Sequence, residues 1–299
     1  MNLLKFRGTW TALITPFLDN QEIDYQALSV LIERQIAGGV TGIVVIGTTG
    51  ESPTLSDQEC SALIKRAKEL IAGRCWLMAG CGTNHTAHSV EKAQAAQKAG
   101  ADALLVVNPY YNKPSQQGLY LHFKEVAQAT NLPNILYNIK GRTGVNLETD
   151  TLMRLAKEVD NIIGVKEASG DLVQIKEVSQ RKLEDFLLFS GDDGLTYQVL
   201  EQAKGDGVIS VASNIIPREV NELVQAGLRG DFKTAKQLDD QLQKLFKILF
   251  IETNPLPVKY MAHKLGLCHL VYRLPMCPPS EKNQMILNEA FNDYFNLLS

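Results

Sequence analysis

The sequence predicts a (β/α)8 TIM barrel with a C-terminal helical extension, and three observations carry that prediction. Eight short apolar runs rich in β-branched residues recur along the 299 residues, at 9–15, 41–47, 76–80, 103–108, 135–138, 162–166, 186–190 and 207–211. They are continuous rather than alternating, as expected of parallel strands buried on both faces. Their starts lie 21 residues apart (Phe186 to Gly207) to 35 apart (Thr41 to Trp76), room for a strand, a helix and two loops. Finally, the first run is not followed by the Gly-x-Gly-x-x-Gly fingerprint of a doubly wound nucleotide-binding sheet. Eight repeats favour a closed barrel.

The intervals read as amphipathic helices. After the first run, Asp24 is placed to cap a helix whose apolar face is Leu28, Leu31, Ile32 and Ile36, and Gly38-Gly39 ends it. After the second, Ser56-Asp57-Gln58-Glu59 is a capping box, followed by Leu63, Ala67, Leu70 and Ile71 on one face. Leu152, Leu155, Ala156 and Val159 repeat the helical spacing before the sixth run. A helix near 218–228 closes the eighth unit, so residues 1–229 form the catalytic barrel. Residues 230–299 form a helical annex, with helices at 232–250, 255–265 and 280–298 and a break at Pro275, Pro278 and Pro279.

Thirty Lys and Arg against 33 Asp and Glu leave a net charge of −3, and 21% of residues are charged. No basic face is available for nucleic acid or an anionic membrane, so small-molecule partners are expected. Five cysteines, Cys60, Cys75, Cys81, Cys268 and Cys277, are odd in number and lack Cys-x-x-Cys spacing, which argues against a disulfide framework or a structural zinc. No secretory leader is read before Phe17, and no apolar run reaches about 18 residues. A soluble, cytoplasmic protein is the expectation.

Active sites of such barrels lie at the C-terminal ends of the strands. There the sequence places Gly47-Thr48-Thr49-Gly50-Glu51, Tyr110-Tyr111, Tyr137, Arg142, Lys166, Gly191 and Ile209. Lys166 follows Ile162-Ile163-Gly164-Val165 and is the least expected residue in a barrel strand. An amine shielded from water favours its neutral form, the nucleophile that Schiff-base chemistry with a carbonyl requires. From position alone, pairing with adjacent Glu167 or turning outward stays open. The phenol of Tyr137 and the hydroxyls of Thr49 and Tyr111 suit a proton relay, although a single strand-end tyrosine is also a good packing residue. Arg142 can grip a carboxylate with two hydrogen bonds, or lie salt-bridged at the surface. Thr48 and the amides of the 47–50 turn suit a second carboxylate, with a plain tight turn as the other reading. Asp192 and Asp193 follow the seventh run, where barrels usually hold phosphate, and would repel it. His85 and His88 lack a third ligand, so no metal is expected.

At these motifs the sequence resembles the 4-hydroxy-tetrahydrodipicolinate synthase family of the pyruvate-dependent class I aldolases, a superfamily that includes N-acetylneuraminate lyase. The similarity runs nearly end to end, including Asn254-Pro255-Leu256-Pro257-Val258-Lys259 and Leu274-Pro275-Met276. It implies that Lys166 forms a Schiff base with pyruvate, with no metal or dissociable cofactor, and that Tyr137, Thr49 and Tyr111 relay protons. It further implies that Thr48 and Thr49 hold the pyruvate carboxylate and Arg142 that of aspartate semialdehyde, while Gly191 and Ile209 supply backbone groups near the lysine. The implied reaction is the first committed step of diaminopimelate and lysine biosynthesis. The implied assembly is a homotetramer, a dimer of dimers joined through the annex, in which Tyr111 crosses the tight dimer interface.

Thr48-Thr49 and Arg142-Thr143-Gly144 look like the synthases, whereas the lyases carry Ser-Thr and lack that arginine. The superfamily alternatives are a sialic-acid or 2-keto-3-deoxy sugar acid aldolase, and more remotely a noncatalytic pyruvate-binding barrel. Two departures stand out. Lys140-Gly141 replaces the family's Pro-Ser before the arginine, which bears on how Arg142 is aimed. Lysine-inhibited members also carry a histidine pair and a glutamate where this chain has Asp57, Cys60 and His88, although Asn84 and Tyr110 remain. Without that glutamate the α-ammonium of lysine lacks its partner, so feedback inhibition is expected to be weak or absent.

Overall fold

A computed structural model describes residues 3–295. Strands β1 (Gly8–Ala12), β2 (Gly42–Val45), β3 (Trp76–Gly80), β4 (Ala103–Val107), β5 (Asn134–Asn138), β6 (Ile162–Glu167), β7 (Leu187–Ser190) and β8 (Gly207–Ser210) pair in parallel. They form a closed barrel in sequence order, with β8 returning to β1. Every predicted run holds a strand, with ends shifted by at most a few residues.

Helices α1 (Tyr25–Ala37), α2 (Asp57–Ile71), α3 (Thr86–Ala99) and α4 (Gln116–Gln128) follow the first four strands. After β5 comes a single turn, α5 (Lys140–Thr143), and then α6 (Thr149–Glu158). Helices α7 (Leu172–Arg181), α8 (Thr196–Ala203) and α9 (Pro217–Leu228) complete the ring. The predicted signals act as read. Asp24 Oδ1 accepts from the amides of Gln26 and Ala27. Ser56 Oγ accepts from the Glu59 amide, while the Glu59 carboxylate accepts from the Ser56 amide. At the end of α1, Gly38 stays right-handed and Gly39 takes the positive φ of +76°, a conformation that suits glycine.

The strands separate two cores. Leu77, Leu104, Leu136, Val165, Leu188 and Val208 face outward into the layer beneath the helices. Trp10, Val44, Met78, Leu105, Ile135, Phe189 and Ile209 fill the interior. The annex follows as α10 (Phe232–Ile248), α11 (Leu256–Lys264) and α12 (Glu281–Phe295); α10 packs on α9, and α12 on α10 and α11. The last helix, expected over 280–298, is seen to Phe295, and the rest of that span lies outside the described residues. Among the described residues no helix is long and apolar enough to cross a membrane.

Candidate active site

A one-residue slip in strand pairing orients the lysine. Asn134 of β5 pairs with Ile162, but Ile135 pairs with Gly164, so β6 contains one extra residue. Beyond the slip, Tyr137 pairs with Lys166 and Phe189 pairs with Lys166 from the other side. Side chains at paired positions of a parallel sheet share a face, and Tyr137 and Phe189 belong to the barrel interior. Lys166 therefore points inward and Glu167 outward. The lysine is 5% exposed, with Nζ 4.2 Å from the centre of the Tyr137 ring. Among the described residues, neither its amine nor the Tyr137 hydroxyl has a hydrogen-bond partner.

Pairing of Lys166 with Glu167, left open by the sequence, does not occur. Glu167 accepts from the side chains of Asn138 and Gln174 and from the Ser169 amide. Burial pushes its carboxyl up, and those hydrogen bonds oppose the shift. Asn138 also bonds Asn108 and Asn146, so a buried polar network braces β4, β5 and β6 behind the lysine.

Gly191 leaves β7 against the lysine side chain. A Cβ built there would lie 3.0 Å from Lys166 Cε and 2.5 Å from Ala168 Cβ. Gly191→Ala is therefore expected to push against Ala168 and displace the lysine, cutting kcat about tenfold or more while costing about 1–3 kcal/mol of stability. Turnover compared with the thermal midpoint checks this; wild-type kcat would show that the space is not needed. Ile209 is fully buried in the interior, paired with Trp10.

The 47–51 turn follows β2. Gly50 N–H bonds Gly47 O and Glu51 N–H bonds Thr48 O, leaving the amides of Thr48 and Thr49 without an acceptor among the described residues. Thr49 is buried, and its Oγ1 accepts from Asn254 Nδ2 at 3.0 Å. Arg142 sits on the helical turn α5 rather than in an open loop, and its Nη2 donates to the backbone O of Asn254 at 2.9 Å. Lys140-Gly141 starts that turn, and Gly141 faces open space. Arg142, Gly141, Phe250, Glu252 and Asn254 line an open cavity of about 700 Å³ at the mouth.

The annex thus enters the site. Beyond Asn254, Lys259 is fully buried and its Nζ pairs with Glu51 Oε1 at 2.5 Å; burial pulls its amine pKa down, against the attraction of Glu51. Glu51 Oε2 accepts the amide of Arg273, whose guanidinium binds Glu59 and holds that carboxyl at about 2. Sequence reading quoted Asn254 and Lys259 only as part of a shared motif and gave them no role. The signal was two polar residues within a proline-rich stretch of an otherwise helical tail.

The phosphate position is filled by the protein itself. Asp193 accepts from Ser210 Oγ and from the amides of Val211 and Ala212, the groups an anion after β8 would use. Its exclusion of phosphate is occupation of the amides rather than the simple repulsion expected from sequence. His85 and His88 lie at the start of α3, and no group of three or more His, Cys, Asp or Glu among the described residues is placed to hold a metal.

Tyr111 stands apart, 88% exposed, with a positive φ of +74° that is strained for a bulky side chain. On the same side of the ring, Asp57 pairs with Lys92 at 3.1 Å and lies 3.4 Å from His88, and Lys92 Nζ is 3.7 Å from Cys60 Sγ.

A lysine amine at the mouth of a closed (β/α)8 barrel, set against a phenol with the phosphate position filled, is the arrangement a Schiff-base-forming barrel lyase requires. The dihydrodipicolinate synthetase family model matches residues 5–293, and the chain belongs to that family. The chain is 48% identical to 4-hydroxy-tetrahydrodipicolinate synthase of Endomicrobium trichonymphae over 289 residues, 97% of this chain and 98% of the relative. It superposes on the crystal structure of dihydrodipicolinate synthase from Aquifex aeolicus with a TM-score of 0.95, at 46% identity, covering 97% and 98% of the two chains. A monomeric dihydrodipicolinate synthase variant is 39% identical with a TM-score of 0.94, covering 97% of each chain.

Proposed function

We propose that the chain condenses pyruvate with L-aspartate 4-semialdehyde to give 4-hydroxy-tetrahydrodipicolinate, opening diaminopimelate and lysine synthesis in the cytoplasm. The observation that carries this reading is the buried Lys166 amine lying on Tyr137 while its neighbour Glu167 is fully engaged elsewhere. Lys166 Nζ attacks the pyruvate ketone, and loss of water gives an imine. A methyl proton leaves to form the enamine, whose carbon attacks the aldehyde. The amine of the second substrate then closes on the imine carbon and displaces Lys166.

Tyr137 and Thr49, with Tyr111, carry protons for these steps. The unpaired Thr48 and Thr49 amides suit the pyruvate carboxylate, and Gly191 and Ile209 shape the floor around the lysine. Arg142, anchored on Asn254 O beside the open cavity, takes the carboxylate of the aldehyde. A sugar-acid aldolase needs hydroxyl partners there rather than one guanidinium, which favours the synthase reading. Turnover of pyruvate with aspartate semialdehyde, compared with N-acetylmannosamine and glyceraldehyde, tests it; preference for either of the last two would replace the synthase with an aldolase.

Tyr111 fits this scheme as a residue donated to a neighbouring subunit in a homotetramer built as a dimer of dimers. Its exposure and strained backbone in the single chain support that role, because such a conformation calls for compensation elsewhere. The Asp57 carboxylate is already paired with Lys92, and His88 stands where an ammonium-binding glutamate is needed. Feedback by lysine is therefore weak or absent. A titration is expected to leave most activity at millimolar lysine, and strong inhibition at micromolar lysine would overturn this.

A further inference from the structure

L-aspartate 4-semialdehyde carries a carboxylate and an ammonium on one carbon, and a site that grips only the first cannot tell it from an aldehyde acid without the amine. Arg142 supplies the cation at the mouth, bonded to the backbone O of Asn254. Glu252 lies two residues before Asn254 and lines the same cavity of about 700 Å³. Among the described residues these opposite charges form no ion pair with each other or with any other group. The Glu252 carboxylate is instead held at one oxygen. Its Oε1 accepts from the Ser280 amide and hydroxyl, both at 2.8 Å, and from Asn283 Nδ2 at 2.6 Å. Three donors saturate that oxygen. Those contacts, Asn283 first, hold the carboxyl below its usual range, so it is ionised at neutral pH. Oε2 has no partner among the described residues and is not shielded from water, which leaves one fixed, charged oxygen open on a residue of the mouth.

We propose that Glu252 is a specificity-determining residue that takes the α-ammonium of the second substrate while Arg142 takes its carboxylate, so that the mouth reads an α-amino acid rather than any short aldehyde acid. This rests on the reading of Arg142 as the carboxylate grip in the proposed function. An ionised carboxylate oxygen only accepts, so its partner must donate, and an ammonium donates with the opposite charge. Ring closure needs that amine neutral, so the contact serves binding and formation of the carbon–carbon bond and ends before closure. The annex thereby has a part in substrate choice besides packing, since Ser280 precedes α12 and Asn283 lies in its first turn.

The test is Glu252→Gln, with kcat, both KM values and the inhibition constant of succinic semialdehyde, which has the same aldehyde and carboxylate without the amine. Glutamine keeps the shape and can still accept from Ser280 and Asn283, but it has no charge. KM for L-aspartate 4-semialdehyde is expected to rise about five- to thirtyfold, as for a charge-assisted hydrogen bond partly screened by water, while kcat and KM for pyruvate stay within about threefold. The inhibition constant of succinic semialdehyde should hold or fall, because that ligand loses a repelling carboxylate and no partner. Ser280→Ala combined with Asn283→Ala keeps the charge but loosens it, so the thermal midpoint falls while the preference for the amine-bearing aldehyde survives. A merely structural role, in which Glu252 only secures α12, would weaken both aldehydes alike in Glu252→Gln and in the double variant. That result overturns the proposal, as does an unchanged KM for L-aspartate 4-semialdehyde in Glu252→Gln. If Glu252→Gln does not fold, Glu252→Asp, which keeps the charge but shortens its reach, is read for the same selective loss, and an equal loss for both aldehydes overturns the proposal there too. Borohydride trapping of pyruvate on wild-type Lys166 and wild-type turnover of L-aspartate 4-semialdehyde are run in parallel. Failure of either removes the synthase reading and this inference with it, whereas a normal wild type with unselective variants removes only the role of Glu252.

Discussion

Replacing Lys166 with alanine is expected to lower kcat by at least about a thousandfold, because on the proposed mechanism it deletes the atom that bonds to the substrate rather than one that assists. The size of the effect follows from the division of labour in the site. The fixed groups at the mouth, Arg142 and the Thr48 and Thr49 amides, can still gather two carboxylates. Gathering alone leaves the methyl of pyruvate too weak an acid to lose its proton, and only the imine supplies the electron sink. Lys166→Arg should fail almost as completely, since a guanidinium stays protonated and does not form the imine. Folding should survive both changes, because among the described residues the Lys166 amine has no hydrogen-bond partner and its removal strands none. The check is a coupled assay with the next reductase, joined to mass analysis after borohydride and pyruvate. Near-normal turnover of Lys166→Ala, or an adduct on a different lysine, would end the proposed mechanism.

The strands could be read because parallel barrel strands are buried on both faces, and the sequence advertises that burial as continuous apolar runs. The same feature hid which way Lys166 points. In a continuous run no alternation marks inside from outside, and the extra residue between Ile162 and Gly164 shifts the phase of everything after it. The inward lysine follows from pairing with Tyr137, a fact about two strands rather than about one. Residue types at the strand ends marked Thr49, Tyr137 and Arg142 as candidates, since hydroxyls, a phenol and a guanidinium are out of place in apolar runs. Asn254 and Lys259 escaped a residue-level reading because their partners, Thr49 and Glu51, lie 205 and 208 residues away. Local periodicity carries no information on contacts at that separation. Arg142 was legible as a candidate carboxylate grip but not as a member of the helical turn that carries it.

The largest effect on stability is expected at the Lys259–Glu51 pair. Both side chains are wholly shielded from water, and Lys259 Nζ also lies 4.2 Å from the centre of the Phe17 ring. Two buried charges help little as a pair, because desolvation offsets most of their attraction. Removing one partner leaves the other buried and uncompensated, at a cost of about 3–5 kcal/mol. Lys259→Met should therefore destabilise by about that amount, and Glu51→Gln by somewhat less because an amide can still accept from the Arg273 amide. The double variant should recover much of the stability lost by Lys259→Met, since no unpaired charge is left. Activity should not recover with it. Glu51, itself left-handed at φ +54°, closes the turn that carries Thr49, and the ion pair ties that turn to α11, which starts two residues after Asn254. Urea unfolding and kcat measured on all three variants separate the two effects. Equal losses of stability in the single and double variants would show that packing volume, not the buried charge, sets the cost; full activity in the double variant would show that the turn keeps Thr49 in place without the annex.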